Sequence, residues 1–307
     1  MQGDVVETKS HINVLREQYN ERMEALARPL RRFLVSNKFY PKVFYNENDI
    51  NNVELGVRAA ITNLDQYRGI FVVQDSPDTP IDNYKGIEFR TSLSKSIKAK
   101  SDHPQLLFTD QDYSSLGQLP HSEYTEEPSI QFVGTIVYMA NGQIFPQQQA
   151  RMISTTMLAT SGILNQTHVL SQQFINGKFV ELQNTRLSKE SYYDIMSRHP
   201  YGLSVRGWGN WSLRFYELLA CGRIPVHVHT DDELLFENWI NYDDYIVRVR
   251  DIRTIREDIE TFHSTHFTDD RSLHQHQDKL FKLYRDYLTF PAFCKHFEEY
   301  YEKELHE

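Results

Sequence analysis

The sequence predicts an α/β fold with room for two cores, and three observations predict it. Short β-branched or apolar runs alternate with helical stretches along most of the chain. Between Arg206 and Asp232 the chain reads R-G-W-G-N-W-S-L-R-F-Y-E-L-L-A-C-G-R-I-P-V-H-V-H-T-D-D, which is loop, helix, turn, strand and acidic loop in unbroken succession. The chain has 307 residues with 40% hydrophobic content, enough for two domains that each bury a core.

Taken in order, residues 8–35 are rich in helix formers, and Ile12, Leu15, Tyr19, Met23 and Leu26 are spaced as one apolar stripe. The charges on the other face are mixed, so the stripe is read as core-facing rather than membrane-binding. A helix is expected over 51–63, then short strands over 69–74, 86–90 and 105–108, each bounded by Gly, Pro, Asp or Ser. The polar stretch H-S-E-Y-T-E-E-P at 121–128 marks a boundary, and a new domain opens with the strand 130–133. Beyond it helices are expected over 147–158 and 188–197 and a strand over 201–205, a βαβ alternation. From about residue 272 the chain is helical in composition, interrupted by Pro291. Phe293, Phe297, Tyr300 and Tyr301 line up as anchors near its end.

The 206–232 run has the layout of an anion site. Gly207 and Gly209 let the backbone approach a ligand closely, and Asn210 or Ser212 is placed to cap the following helix. The helix start, with Arg206 and Arg214 as permanently charged donors, suits a phosphate group. Arg214 and Glu217 share a helix face by their spacing, which puts a carboxylate about one turn deeper, where it could accept from two vicinal hydroxyls. Gly222 ends the helix. The strand 224–229 then leads into Thr230, Asp231 and Asp232, and ligands of open α/β sheets sit at such carboxyl ends.

Composition sets limits. Lys plus Arg number 33 against 42 Asp plus Glu, a formal charge of −9, which opposes nonspecific binding to nucleic acid or anionic membrane and requires any diphosphate site to be made locally. Two cysteines, Cys221 and Cys294, cannot build a disulfide framework and read as free thiols. No run approaches a membrane span or an N-terminal signal, and the acceptor sequon Asn210-Trp211-Ser212 lies inside the anion-site loop, where a glycan would block it. A cytoplasmic location is expected, unless an N-terminal anchor has been trimmed.

Neither G-x-G-x-x-G after an early strand nor G-x-x-x-x-G-K-[ST] is present, which removes the common dehydrogenase and P-loop readings. Asp110-Gln111-Asp112 spells D-x-D, a motif that can hold a divalent metal, but it stands about a hundred residues before the anion site and is read as a decoy. His227 and His229 point to one face of their strand, a metal pair with no visible third ligand. His274 and His276 are two apart on a helix and point in different directions. No metal ligand set is assigned.

The same run resembles the signature of the exostosin family of glycosyltransferases, R-G-x-G-N-[FW]-S-x-R-F-Y-E, followed by C-G-R-I-P-V and a T-D pair. Phe132-Val133-Gly134 with the later Arg151 resembles the family's F-x-G strand and arginine, and Arg90-Thr91-Ser92 an R-T-S element of its soluble, bacterial or viral members. The likeness covers about residues 130–250. The family's L-P-F after the T-D pair stands here as Leu234-Leu235-Phe236.

The resemblance implies a GT-B architecture, two Rossmann-like domains facing a cleft. Residues 1–127 would form the acceptor side, 128–285 the nucleotide-sugar domain, and 286–307 a tail returning to the first domain. It implies an inverting, metal-independent transfer of xylose, galactose, arabinose, glucuronate or N-acetylglucosamine from a UDP-sugar to a hydroxyl of an oligosaccharide or glycoprotein glycan, with no cofactor beyond the donor. Arg206, Arg214 and Arg151, with the backbone of Gly134, Gly207, Gly209, Asn210 and Ser212, would meet the diphosphate, Glu217 the ribose, and His229, Thr230 and Asp231 the sugar. The catalytic base is expected at a strand end of the first domain: Asp75, with Asp112 and Asp110 as alternatives. A retaining GT-B transferase, and a noncatalytic nucleotide-binding partner of another transferase, remain the rival readings. Which sugar, which acceptor and what oligomeric state stay open.

Overall fold

The computed structural model describes residues 71–74, 87–90, 92–101, 104–107, 109, 113–140, 143–144, 149–175, 178–181, 187–207 and 210–302. The helices expected over 8–35 and 51–63, together with Asp75, Asp110, Asp112 and Gly209, lie outside the described residues.

The chain is α/β with parallel sheets. Strands β1 (Phe71–Gln74), β2 (Ile87–Arg90) and β3 (Gln105–Leu107) make a parallel sheet in that order, with the short helix α1 (Lys95–Lys98) between the last two. A second sheet holds β4 (Ile130–Ala140), β5 (Gln143–Ile144), β6 (Leu164–Ile175), β7 (Lys178–Glu181), β8 (Tyr201–Ser204), β9 (Ile224–Val228) and β10 (Val247–Val249). Its order is β10-β9-β8-β4-β6-β7, with β5 paired to β4. All neighbours in the run from β10 to β6 are parallel, while β7 on β6 and β5 on β4 are antiparallel.

Helices supply the crossovers. Helix α2 (Gln149–Thr160) carries β4 to β6, α3 (Lys189–Arg198) leads into β8, and α4 (Leu213–Ala220) carries β8 to β9. The expected helices over 147–158 and 188–197 match α2 and α3 within two residues. Ser188 caps α3 by accepting from the Ser191 amide. Strand β9 is buried along its whole length, as a central parallel strand covered on both faces must be. Gly222 ends the α4 turn with φ 67°, the left-handed conformation that favours glycine there.

Beyond β10 come α5 (Ile255–His266), α6 (Asp270–Leu283) and α7 (Phe290–Tyr300), with one π-helical stretch (Tyr284–Leu288) between the last two. Pro291 sits in the first turn of α7, where its missing N–H costs nothing, and Thr289 caps that turn. Phe293, Phe297 and Tyr301, four residues apart, are all buried. The Tyr301 hydroxyl accepts from the Leu107 amide at 3.1 Å and donates to the Leu107 carbonyl at 3.2 Å, so the C-terminal helix is tied to the first sheet. One buried apolar cluster runs from Leu93, Leu106 and Leu107 through β8 and β9 to those aromatics.

The 113–125 segment is more firmly held than a polar linker. Ser122 is buried and exchanges two hydrogen bonds with Gln277 of α6, and His121 and Gln118 both reach Asp278. Arg223, fully buried, donates to the carbonyls of Met196, Ser197, Cys221, Gly222 and Pro120, stitching the α3 end and the 120 loop to the start of β9. Burial lowers its pKa to about 10.

Candidate functional site

The order of the second sheet reverses at one place. The chain leaves β4 toward β6 on one side and leaves β8 toward β9 on the other, so the boundary between β4 and β8 is the topological switch point. Pairing there covers only Ile130 with Tyr201 and Gln131 with Gly202. Past those residues the two strands part, and crevices of this kind hold ligands in open α/β sheets.

Two arginines come to the parting. Arg214, from the first turn of α4, donates Nη2 to the carbonyl of Val133 on β4, and its guanidinium lies over the Tyr192 ring at 4.9 Å. Its Nη1 is buried without a hydrogen-bond partner among the described residues. Arg151, from α2, donates Nη2 to the carbonyls of Val205 at 3.2 Å and Arg206 at 3.0 Å, immediately after β8. A Cβ at Gly134 would stand 3.7 Å from the Arg214 Nη2, and one at Gly207 would stand 3.5 Å from the Arg151 Nη2. Both glycines thus stand directly against a guanidinium, at distances where a Cβ would make ordinary contact. Gly202 abuts Gln131 and Leu218, so by strand alternation Gln131, Gly202 and Ser204 share the face that α4 covers. Both polar atoms of the Gln131 side chain and the Ser204 hydroxyl are buried there without hydrogen-bond partners among the described residues. Orphaned buried polar atoms of this kind each cost about 1–3 kcal/mol, which a polar ligand would recover.

Glu217 lies one turn along α4. Its Oε2 accepts from the Tyr192 hydroxyl at 2.5 Å and sits 3.4 Å from Arg214 Nε. Burial, the largest cause, pushes the Tyr192 pKa far above its ordinary value, so this hydroxyl stays a donor. Tyr193 packs edge-on against Tyr192, and burial raises its pKa to about 12.

The other expected residues are drawn into the loop framework. Asn210 is buried: its amide donates to the Ser92 hydroxyl at 2.8 Å, its side-chain Nδ2 to the Leu93 carbonyl, and its Oδ1 accepts from Thr230 at 2.7 Å. It therefore braces two loops and does not cap α4. Ser212 stands at the N-cap position but makes no capping bond. Asp231 has φ 64°, and its carboxylate accepts from the hydroxyls of Ser94 and Ser96 and from the Ser96 amide. Burial would raise its pKa, yet these bonds hold it below the ordinary value. The backbone continues this brace, with Lys95 N donating to Asp231 O at 2.8 Å and Ser94 bridging Asp232. Arg206 is half-buried beside Arg151.

The pair His227 and His229 gains a third member that the sequence reading lacked. Asp232 is buried, with Oδ1 2.9 Å from His229 Nδ1 and Oδ2 2.9 Å from His227 Nε2. Burial works against its charge, but His227, His229 and the Thr230 amide outweigh that and hold its pKa well below the ordinary value. Ser92, Ser94, Ser96, Tyr192, Gln131 and Asp232 are thus the residues that sequence reasoning did not assign to the site. The D-D doublet after H-x-H was the one available signal for Asp232, and the R-T-S likeness the one for Ser92.

No protein-family model matches the sequence, and no curated protein does. Among solved structures, AviGT4, a glycosyltransferase involved in avilamycin A biosynthesis, overlaps 77% of this chain and 68% of its own length at 11% identity and a TM-score of 0.38. The catalytic domain of starch synthase IV from Arabidopsis thaliana, bound to ADP and acarbose, overlaps 63% of this chain at 13% identity and a TM-score of 0.36. This chain spans 41% of that synthase's length. Overlap at this level does not bear on activity.

Proposed function

We propose that this chain is an inverting glycosyltransferase of the exostosin-like, GT-B kind, taking its sugar from a UDP-sugar and passing it to a hydroxyl of a glycan. The observation that carries the reading is the parted pair β4 and β8, with Arg214 and Arg151 brought from different helices to the carbonyls of Val133 and Val205 where those strands end their pairing, beside Gly134 and Gly207. Two fixed cations at a switch point suit a diphosphate, whose leaving charge they stabilise without reorganising. Transfer needs nothing further there than these groups. Glu217, kept oriented by Tyr192, is the acceptor for the ribose hydroxyls. Thr230, Asp231 and His229 frame the sugar end, with Asp231 acting through the Ser94 and Ser96 brace. Under this reading residues 1–127 serve the acceptor side and supply the base, with Asp75 first and Asp112 and Asp110 as alternatives. Residues 128–285 hold the donor, 286–307 return to the first part, and the protein works in the cytoplasm.

Titration calorimetry with UDP and a panel of UDP-sugars tests it. The native chain binds UDP, and Arg214→Lys, which keeps the charge but loses the fork, binds it about 10- to 100-fold more weakly. Asp75→Asn leaves UDP binding intact and abolishes transfer, and NMR of the product shows inverted configuration at the anomeric carbon. Equal UDP affinity in native and Arg214→Lys protein removes the diphosphate from this gap. A retained anomeric configuration removes the inverting assignment.

A further inference from the structure

The clearest chemistry-bearing cluster outside the parted strands is His227, His229 and Asp232. His227 and His229 lie on one side of β9 and its continuation by the period of two, and Asp231, in its left-handed conformation, turns the chain so that Asp232 comes back beneath them. One donor atom from each of the three lies within 4.8 Å of the others. Ligands of a tetrahedral ion at about 2.0–2.1 Å stand about 3.3 Å apart, so closure asks at most about 1.5 Å of movement. The side chain of His229, 25% exposed, stands at the open edge of the cluster with Nδ1 already 2.9 Å from Asp232 Oδ1.

The state of His227 points to an ion rather than to a relay of hydrogen bonds. Its side chain is only 4% exposed, and neither ring nitrogen has a hydrogen-bond partner among the described residues. Nε2 approaches Asp232 Oδ2 to 2.9 Å, but the carboxylate lies off the N–H direction, so the contact lacks hydrogen-bond geometry. A relay would align that N–H with the oxygen. A cation placed between them takes the Nε2 lone pair and a carboxylate oxygen together. Two imidazoles and one carboxylate are a donor set for Zn²⁺ and its divalent transition-metal neighbours, and a poor one for Mg²⁺ or Ca²⁺, which take oxygen ligands.

We propose that His227, His229 and Asp232 form a binding site for a divalent transition-metal ion of the Zn²⁺ class, with a fourth position open toward solvent beside His229. The ion locks the 229–232 turn, which presents Thr230 and Asp231 to the loop of Asn210 and the Ser94–Ser96 segment. It stands apart from the diphosphate chemistry, which does not run through it.

The test is calorimetric titration of EDTA-treated, dialysed full-length protein with Zn²⁺, and visible spectroscopy with Co²⁺. The chain holds 13 histidines, so the difference between native protein and variant decides. The expected result is one tight equivalent of Zn²⁺ per chain, a Zn²⁺-dependent rise in melting temperature and d–d absorption with Co²⁺. His229→Ala, at the exposed ligand, loses all three, and by more than the 10- to 100-fold that an outer-shell partner costs. Asp232→Asn does the same, with circular dichroism confirming that it has folded. No tight equivalent in native protein, or an equal one in His229→Ala, overturns the proposal. UDP titrations on the same samples report separately on the nucleotide site.

Discussion

Replacing Gly202 with alanine puts the packing between β8 and α4 under direct strain. Gly202 lies in the buried strand between Gln131 on β4 and Pro225 on β9. A Cβ there would stand 2.4 Å from Leu218 Cδ2 and 2.8 Å from both Leu218 Cδ1 and Gln131 Nε2. Carbon atoms in good contact sit about 3.5–4.0 Å apart, so an ångström or more must be recovered. Leu218 is fully buried among Met196 and Cys221 and cannot swing into solvent. Overpacking of this size costs about 1–3 kcal/mol. At about 2–4 °C per kcal/mol for a chain of this order of length, melting falls by roughly 2–12 °C. Leu218→Ala alone empties the site and costs about 2–5 kcal/mol. In the double variant the new methyl enters the vacated space, so the double is more stable than the sum of the singles by about 0.5–3 kcal/mol. Urea unfolding of all four proteins measures this cycle. Native stability in Gly202→Ala, or strictly additive losses, would refute the claim that these groups compete for one volume. Because Glu217 and Arg214 ride on the same helix, Gly202→Ala also weakens UDP binding.

Two further outcomes follow from the same geometry. His276 is buried, bonded through Nε2 to the Tyr245 carbonyl at 2.9 Å, and burial lowers its pKa to about 4 from 6.5. Between pH 6.5 and 4 the unfolded chain takes up a proton that the folded one refuses. Stability is therefore full above pH 6.5 and falls with acid, by on the order of 3 kcal/mol at pH 4 from this group, and His276→Gln flattens that part of a urea-unfolding series across pH. Glu217→Gln weakens UDP binding about 10- to 100-fold in calorimetry by removing a charged acceptor, whereas Tyr192→Phe, which only frees the carboxylate to wander, costs less. The reverse order of these two effects would place Tyr192, not Glu217, at the ribose.

Much of the fold was legible because local chemistry and global packing agree. The expected strands over 86–90, 105–108, 201–205 and 224–229 lie within a residue or so of β2, β3, β8 and β9, each apolar or β-branched and bounded by turn residues. What escaped was the far side of the second sheet. β6, L-N-Q-T-H-V-L-S-Q-Q-F-I, carries too many amides and hydroxyls to show a strand period, and its partner β7 forms the sheet's last strand in the order β10 to β7. The length of β4 also escaped, since Gly134 interrupts the apolar run between I-Q-F-V and T-I-V-Y-M-A and only the first part was read as a strand. The 121–128 stretch read as a domain boundary by its polarity, and the burial of Ser122, which Gln277 satisfies, could not be read from it, since pairing across 155 positions leaves no trace in a local window.

The same distinction governs the site. Arg214, Glu217 and Gly207 were named from the sequence because they stand on one loop and helix, where spacing alone fixes their relation. Arg151 and Gly134 were named only through a resemblance, and it is the sheet order that sets β4, with Gly134 beside Arg214, next to β8, whose following carbonyls Arg151 bonds, a relation some 70 residues long in sequence. Tyr192 was missed for a reason that is purely spatial. On α3 it is one aromatic among Tyr192 and Tyr193, and nothing in K-E-S-Y-Y-D-I-M-S-R distinguishes a core ring from one that supports a guanidinium and bonds a carboxylate. Asp231 shows the converse relation. A D after T at a strand end reads as a ligand contact, whereas Ser94 and Ser96 use that carboxylate to fasten α1 to the turn, so Asp231 shapes the pocket wall through its partners. A sequence signature therefore records which residues a site needs, while the division between those that touch a ligand and those that hold the wall in place is made by contacts from elsewhere in the chain.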